Sequence, residues 1–361
     1  MKAQYSFTFR GREVPIFIGH GLLEKAADLI AEADPFRAVI ITDTTVADLY
    51  AKKVMKEIEE RGIRTQLFSF SPGETRKARK IKDWIEEEIL GFATVDSAIV
   101  GIGGGVVLDI AGYVAAEFFR EKLMFFAIPT TLMAMHDAAI GAKNAVNSDK
   151  AKHSFGVYYA PEFVLCDLDV LRTLPERELK SGLVESVKHA LCQDLSFLST
   201  IEQRDYDKIV CRTIELKLEC MREDEEEKFT PILHVGHTLG HQIEFQSLHS
   251  TNVLTHGEAL SHGIKCEALL SHRLGILSEE DCHQVFEIFK NLDLDFPLPP
   301  LDIPKLIDGL RYDNKRTRRG APFFLLSALG SAPKVVWEDE IPRETLEGCL
   351  LDYQTLARMH V

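Results

Sequence analysis

Residues 97–109 read SAIVGIGGGVVLD, an apolar run that passes into three consecutive glycines. Residues 97–101 are typical of a buried β-strand, and the apolar residues after the glycines predict a helix. A turn of this kind presents the free backbone amides of a helix N-terminus, which suit a pyrophosphate. The stretch departs from the G-x-G-x-x-G dinucleotide motif because Val106 occupies the last glycine position. A tight turn that binds no ligand is therefore the alternative.

The flanking sequence repeats the alternation of strand and helix. Residues 5–9 and 14–18 predict a hairpin; β-rich runs follow at 38–42, 65–70 and 124–128, with helical patterns at 22–33, 46–61 and 77–90. Such alternation predicts βαβ units in a parallel sheet. Beyond about residue 168 helical patterns dominate. We expect a Rossmann-like α/β domain over residues 1–167 and an all-α domain over residues 168–361.

Composition restricts the classes of partner. The chain has 361 residues, is 45% hydrophobic and carries a net charge of −14. An acidic chain does not suit nucleic acid or an anionic membrane, because both demand a cationic surface. The sequence shows no run of transmembrane length and no N-terminal leader, so we expect a cytoplasmic protein with no nucleic-acid or membrane partner. Its seven scattered cysteines form no CxxC pair and are expected to be reduced.

A histidine-rich segment carries the strongest chemical signal in the second half. Residues 233–241 read LHVGHTLGH, and THGE follows at 255–258. In a helix His237 and His241 are at i and i+4, with His234 one turn earlier, so three imidazoles share one face. Imidazole is the commonest metal ligand, and a catalytic cation typically takes three protein ligands. Polar residues in a packed helix are the alternative.

A carboxylate in an apolar helix is the candidate for a further ligand. Residues 178–192 predict a helix in which Glu185 and Lys188 lie at i and i+3 among Leu183, Val184 and Val187. A surface ion pair is the ordinary interpretation. However, a carboxylate in so apolar a helix needs a cationic partner.

Taken together, six motifs resemble those of 3-dehydroquinate synthase and its relatives, the sugar-phosphate cyclases. The resemblance runs from about residue 10 to 330, and its motifs are GGGV at 103–106 with Asp109, PTTL at 129–132, the segment 137–143, GLVESVK at 182–188, GHTLGH at 236–241 and HGE at 256–258.

The resemblance implies a two-domain homodimeric enzyme that carries NAD on the α/β domain and zinc, or cobalt, on the helical domain. It implies Glu185, His237 and His256 as metal ligands. The implied NAD site contains Asp43, Glu74, Lys77, Gly103, Gly104, Gly105, Asp109, Thr130, Thr131, Lys152 and Thr173. Facing a phosphorylated sugar would be Asp137, Lys188 and His241 as catalytic residues, with Lys143, Lys217, Lys315 and the partner subunit's Arg120.

The implied reaction is that of a carbon–oxygen lyase. A substrate hydroxyl is transiently oxidised by NAD, phosphate leaves by β-elimination, hydride returns, and an intramolecular aldol step closes a carbocycle. Because NAD is regenerated in each cycle, a tightly held cofactor is expected.

Three positions depart from 3-dehydroquinate synthase. That enzyme has an arginine seven residues before the first metal histidine, where it meets the substrate carboxylate, and this chain has Thr230. Asparagines of that enzyme are replaced by His234 and His153, which we add to the substrate-facing set. Threonine offers neither the charge nor the fork geometry of arginine, so the expected substrate is a sugar phosphate without a carboxylate. Genuine 3-dehydroquinate synthase, an NAD-linked, metal-dependent alcohol dehydrogenase and a catalytically silent relative are the alternatives.

Overall fold

The computed structural model describes residues 2–222, 230–248 and 250–359. Within them the chain divides into two compact units. The first contains residues 2–149, 153–179 and 221–222; the second contains residues 150–152, 180–220, 230–248 and 250–359. A division into independently folding domains after residue 167 stays a prediction.

The first unit is built on a seven-stranded sheet. Its order is β1-β2-β9-β6-β5-β3-β4, and every neighbouring pair is parallel except the β1–β2 hairpin. The strands are β1 (Tyr5–Phe9), β2 (Arg12–Gly19), β3 (Arg37–Asp43), β4 (Arg64–Phe70), β5 (Ser97–Gly103), β6 (Met124–Pro129) and β9 (Phe163–Asp167), with a separate hairpin of β7 (Lys143–Val146) and β8 (Phe155–Tyr158). The predicted parallel α/β architecture is confirmed.

The α-helices that lie wholly in the described residues of this unit are α1 (Leu23–Glu32), α2 (Thr44–Val46), α3 (Lys52–Glu60), α4 (Arg79–Ile89) and α5 (Gly105–Glu117). Apolar residues of α1 and α3, such as Ile30 and Ile58, pack in one core with Ile40 and Val100 of the sheet. Burial of these aliphatic side chains is the main force that holds helices on the sheet.

The second unit is predominantly helical. Its helices are α6 (Glu176–Cys192), which begins in the first unit, α7 (Leu198–Glu202), α8 (Tyr206–Met221), α9 (His237–Ser247), α10 (His256–Arg273), α11 (Glu279–Asn291), α12 (Ile303–Gly309) and α13 (Arg343–Met359). The expectation of an all-α second half is corrected in one respect, because β10 (Pro322–Leu325) and β11 (Lys334–Trp337) form an antiparallel pair. None of the helices within the described residues is long and apolar enough to cross a membrane.

A close crossing of two helices positions the histidines of the second unit. The added Cβ of an alanine at Gly263 of α10 would lie 2.0 Å from the carbonyl oxygen of Gly236 and 2.9 Å from Cα of Gly240. Only a residue without a side chain permits this approach. The backbone of α10 therefore packs directly against the first turn of α9, which carries His237.

Candidate functional site

Four side chains from three helices of the second unit converge. Glu185 comes from α6, His237 and His241 from α9, and His256 is the first residue of α10. The imidazole centroids of His237, His241 and His256 lie 5.2–5.7 Å apart, and one nitrogen from each ring lies within 4.8 Å of the others. This spacing suits a shared cation.

Glu185 adds a carboxylate to this histidine cluster. Its Oε1 lies 3.4 Å from Nε2 of His237 and 3.7 Å from Nε2 of His256, and the side chain is fully buried. Neither of its oxygens accepts a well-directed hydrogen bond from another described residue, although the Lys188 ammonium lies 2.5 Å from Oε2. A buried carboxylate is stable only with a positive partner, so the donor set fits a divalent cation.

The local capping explains how α10 presents its histidine. Thr255 accepts a hydrogen bond from the backbone amide of Glu258, and the Glu258 carboxylate accepts one from the amide of Thr255. This reciprocal capping box makes α10 begin at His256. On α9, His237 and His241 share one face, as their spacing predicts.

The electrostatics differ between the carboxylates and the imidazoles. Burial opposes ionisation of Glu185, but the Lys188 ammonium and the facing imidazoles hold its pKa well below its usual value. Burial lowers the pKa of His237 to about 4. For His256 the same burial is outweighed by the facing carboxylates of Glu185 and Glu244, which raise its pKa to about 9. The two imidazoles differ because only His256 faces two carboxylates.

The second ring nitrogens of both histidines are oriented. Nδ1 of His237 lies 3.2 Å from the carbonyl oxygen of Val235, and Nδ1 of His256 lies 3.0 Å from Oε2 of Glu244. A carbonyl and a carboxylate only accept, so each imidazole carries a proton on Nδ1 and presents Nε2 to Glu185. When both imidazoles are neutral, as binding of a cation requires, their Nε2 lone pairs point to the same place.

Sequence reasoning missed two buried carboxylates that support this cluster. Glu244 lies on α9 seven residues after His237, so the helical spacing of the two residues could have indicated that they share one face. Glu267 of α10 accepts hydrogen bonds from the backbone amides of Gly236 and Leu239, at 2.9 and 3.1 Å. Nothing in the sequence pattern indicates that contact, because it joins two helices.

The other residues expected to face substrate in this unit lie on separate elements. Lys188 is fully buried on α6 and donates to the carbonyl of Leu233. Lys217 is buried on α8, and His234 is buried with its ring centroid 5.0 Å from that of Phe324. Nζ of Lys315 donates to the side-chain oxygen Oδ1 of Asn314. The roles assigned to these residues stay predictions.

In the first unit, the sheet's carboxyl edge carries a polar network. Lys77 forms a buried ion pair with Asp109, and its Nζ lies 2.9 Å from Nε2 of His153. Asp109 Oδ1 also accepts the backbone amide of Ala145, while burial raises the pKa of its carboxyl. Glu74 accepts a hydrogen bond from the side chain of Asn147. The structure thus brings together four of the predicted residues, Glu74, Lys77, Asp109 and His153.

The glycine turn has the form that the sequence predicts. An added Cβ at Gly103 would lie 2.6 Å from Cβ of Val107, so glycine permits the tight return of α5 against β5. Within the described residues no side chain caps the N-terminus of α5, which starts at Gly105. Its first amides are available to an anionic group, and this edge of the sheet fits a dinucleotide.

The remaining predicted residues of this unit have local partners. Asp43 ends β3 and accepts hydrogen bonds from the amides of Thr45 and Val46, which makes it the N-cap of α2. The Thr173 and Tyr50 hydroxyls are hydrogen bonded, and Thr131 Oγ1 accepts the amide of Ala134. Thr130 is buried after β6, Asp137 lies in the helical turn 134–138, Lys143 starts β7, and Arg120 lies in an exposed turn with φ of 59°.

Lys152 takes a position that the sequence did not indicate. It belongs to the second unit, where its buried ammonium pairs with Glu244. Its expected part in the NAD site stays a prediction.

The chain matches known proteins over most of its length. Residues 67–181 match the family model of the 3-dehydroquinate synthase N-terminal domain, and residues 182–316 match that of the C-terminal domain. The 3-dehydroquinate synthase of Desulforamulus reducens is 34% identical over 340 residues, which cover 88% of this chain and 92% of that one. The enzyme of the same name from Nitrosomonas europaea is 31% identical over 357 residues, 94% and 95% of the two chains.

Solved structures also match the chain over most of its length. A 2-deoxy-scyllo-inosose synthase complexed with carbaglucose-6-phosphate, NAD+ and Co2+ matches with a TM-score of 0.82 and 25% identity, over 95% of this chain and 99% of that one. An iron-containing alcohol dehydrogenase shares the fold alone, with a TM-score of 0.65 and 16% identity over 98% and 100% of the two chains. The chain therefore belongs to the 3-dehydroquinate synthase family, and it is a sugar-phosphate cyclase of the lyase type.

Proposed function

We propose that this enzyme cyclises a sugar phosphate that lacks a carboxylate. The proposal rests on Thr230, which by the motif resemblance takes the position of the arginine that meets the substrate carboxylate in 3-dehydroquinate synthase. Thr230 is half-buried, and its hydroxyl donates to the carbonyl oxygen of Cys220. An uncharged side chain that is already hydrogen bonded to the backbone offers a carboxylate no countercharge.

The cofactors in this proposal are NAD and a zinc or cobalt ion. Support comes from the buried Glu185 with its two facing Nε2 atoms, and from the related 2-deoxy-scyllo-inosose synthase, which holds NAD+ and Co2+. When bound, NAD would accept hydride from the carbon that bears a substrate hydroxyl, and the cation would polarise the oxygen on that carbon.

The chain's own residues bind the cation, NAD and the phosphate, and they transfer protons. Glu185, His237 and His256 hold the cation, and the glycines 103–105 with Asp109 line the NAD site. Lys188, His241 and Asp137 move protons when the carbon next to the new ketone is deprotonated and phosphate leaves, and again during the aldol step. Lys143 and Lys315 compensate the charge of the phosphate.

The proposal also includes further residues for NAD binding and for substrate binding. The remaining NAD-site residues are Asp43, Glu74, Lys77, Thr130, Thr131, Lys152 and Thr173, and the remaining substrate-facing residues are His153, Lys217, His234 and the partner subunit's Arg120. A homodimer and a cytoplasmic location are inferred from the family resemblance and the acidic composition. Light scattering of the purified protein tests the dimer.

The second candidate function is genuine 3-dehydroquinate synthase. It is favoured by the relatives quoted above, which carry that name at 34% and 31% identity. A seven-carbon sugar acid phosphate would then be the substrate.

A comparison of substrates tests the proposal. With NAD and Co2+ present, phosphate release is measured for the seven-carbon acid phosphate, glucose 6-phosphate and sedoheptulose 7-phosphate. We expect a neutral sugar phosphate to be turned over fastest, without net accumulation of NADH. Fast turnover of the acid would establish the second candidate, and NADH formed in step with product would indicate an alcohol dehydrogenase.

Two matched variants test whether residue 230 determines the substrate preference. Thr230→Arg should raise the relative turnover of the acid phosphate on the order of 10-fold or more, because a hydrogen bond to a charged group contributes about 1.5–3 kcal/mol. Thr251→Arg adds the same charge at an exposed position of the second unit and should leave the substrate preference unchanged. Equal preference in both variants would contradict the role given to position 230.

A further inference from the structure

His256 lies between two buried carboxylates. Its Nε2 is 3.7 Å from Oε1 of Glu185, and its Nδ1 is 3.0 Å from Oε2 of Glu244. The two ring nitrogens thus face different partners. The nitrogen on the Glu185 side also faces His237 and His241, whereas the nitrogen on the Glu244 side faces a carboxylate that lies outside this cluster.

Glu244 is itself held by a lysine. Its Oε1 accepts from the Lys152 ammonium, and both side chains are buried. Lys152 comes from the connection between β7 and β8, yet residues 150–152 pack within the second unit. Each carboxylate that faces His256 therefore has its own ammonium partner, Lys188 for Glu185 and Lys152 for Glu244.

One helix provides both the histidines and this support. His237, His241 and Glu244 lie at i, i+4 and i+7 of α9, so all three project from the same face. Each oxygen of Glu244 thus has its own partner, which restricts the rotation of the carboxylate. A carboxylate fixed in this way sets the rotation of the His256 ring and keeps the proton on Nδ1.

We infer that Glu244, fixed by Lys152, is a positioning residue that holds His256 in the orientation and tautomer required of a metal ligand. The inference rests on the proposed metal site. The ammonium of Lys152 neutralises Glu244, so the carboxylate orients the imidazole without adding a net negative charge beside the cation. A partner of this kind typically contributes 10- to 100-fold in metal affinity.

Two double variants separate positioning from structural support. Lys152→Met with Glu244→Gln removes both charges but keeps an amide oxygen that accepts from Nδ1 of His256. Lys152→Met with Glu244→Leu removes the acceptor as well, at similar volume. Neither variant leaves a buried charge without its partner, which would by itself destabilise the fold. Circular dichroism and thermal unfolding verify that both variants fold.

The measurement is the Kd for Co2+, obtained by chelator competition without substrate, together with the visible absorption spectrum of the bound cobalt. We expect the leucine variant to bind Co2+ at least about 10-fold more weakly than the glutamine variant. Its cobalt absorption should also change. As a control, Lys265→Met with Asp295→Asn neutralises another ion pair of this unit and should leave the Kd unchanged.

Each outcome decides the inference. Equal affinity in the glutamine and leucine variants, while the wild-type protein binds one Co2+ and releases phosphate, would overturn the positioning role and leave the proposed function standing. A wild-type protein that binds no Co2+ would overturn the metal site and the inference together.

Discussion

Nε2 of His237 on α9 lies 3.4 Å from Oε1 of Glu185 on α6. Nothing local in the chain brings these two atoms together, since each projects from its own helix. With Nδ1 of His237 directed at the carbonyl of Val235, the lone pair of Nε2 faces the carboxylate and leaves space for a cation to join them.

Loss of the carboxylate should remove the metal. Glu185→Ala is expected to lower the affinity for Co2+ by more than the 10- to 100-fold that an outer partner contributes. It also leaves Lys188 without its counterion, which costs about 3–5 kcal/mol. Glu185→Gln keeps the side-chain volume and should also lose metal. Metal analysis after dialysis measures the first effect and urea unfolding the second.

An exposed glutamate of the same helix supplies the control. Glu176→Gln in the first turn of α6 should retain metal, stability and phosphate release. Stoichiometric metal in purified Glu185→Ala would refute the ligand assignment.

The crossing of α9 and α10 should tolerate no added methyl group. Gly263→Ala places a Cβ 2.0 Å from the carbonyl oxygen of Gly236, so the helices must separate. We expect the free energy of unfolding to fall by at least about 1–3 kcal/mol, as measured by urea denaturation. Gly91→Ala, where an added Cβ meets nothing within 4 Å, is the control. Similar stabilities of the two variants would contradict the observed packing.

Glu267 should make the stability of the metal-free protein depend on pH. Burial, opposed by hydrogen bonds from the amides of Leu239 and Gly236, raises the pKa of Glu267 to about 8 from an ordinary value of 4.5. The folded state therefore holds a proton that the unfolded chain loses. Stability from this group is complete below pH 4.5 and decreases as the pH rises to about 8, by up to about 1.4 kcal/mol per pH unit.

A variant that cannot titrate isolates this effect. Glu267→Gln should flatten the dependence of the free energy of unfolding between pH 5 and pH 8, whatever its absolute stability. Glu88→Gln, at an exposed position of α4, should retain the wild-type slope. An unchanged slope in Glu267→Gln would show that this carboxyl does not titrate in that range.

Asp43 should act as a helix cap whether or not NAD is bound. Asp43→Ala removes the acceptor for the amides of Thr45 and Val46 and should cost about 1 kcal/mol of stability. Asp43→Asn keeps the cap and should be nearly neutral. If Asp43 also lines the NAD site, both variants weaken NAD binding, which fluorescence titration would detect. Equal free energies of unfolding for Asp43→Asn and Asp43→Ala would contradict the capping role.

Sequence periodicity predicted the main sheet well and the minor strands poorly. Buried strands such as β3 and β5 are continuous apolar runs bounded by polar residues or glycine, so their pattern is strong. Strands β7, β8, β10 and β11 have only four residues each, too few for a periodicity to be recognised. Strand β9 was missed because residues 163–167, although apolar, lie between irregular segments and pair with β2 and β6 from distant parts of the chain.

The sequence by itself determined which residue types share a helix face: His237 with His241, and Glu185 with Lys188, because helical spacing is a local property. It also supplied the motif series that identifies the family. Only the tertiary structure decided which nitrogen of His256 faces Glu185, and that Glu244 and Lys152 support the other. Those contacts join residues far apart in the chain, and their geometry follows from how the helices pack, which local spacing does not encode.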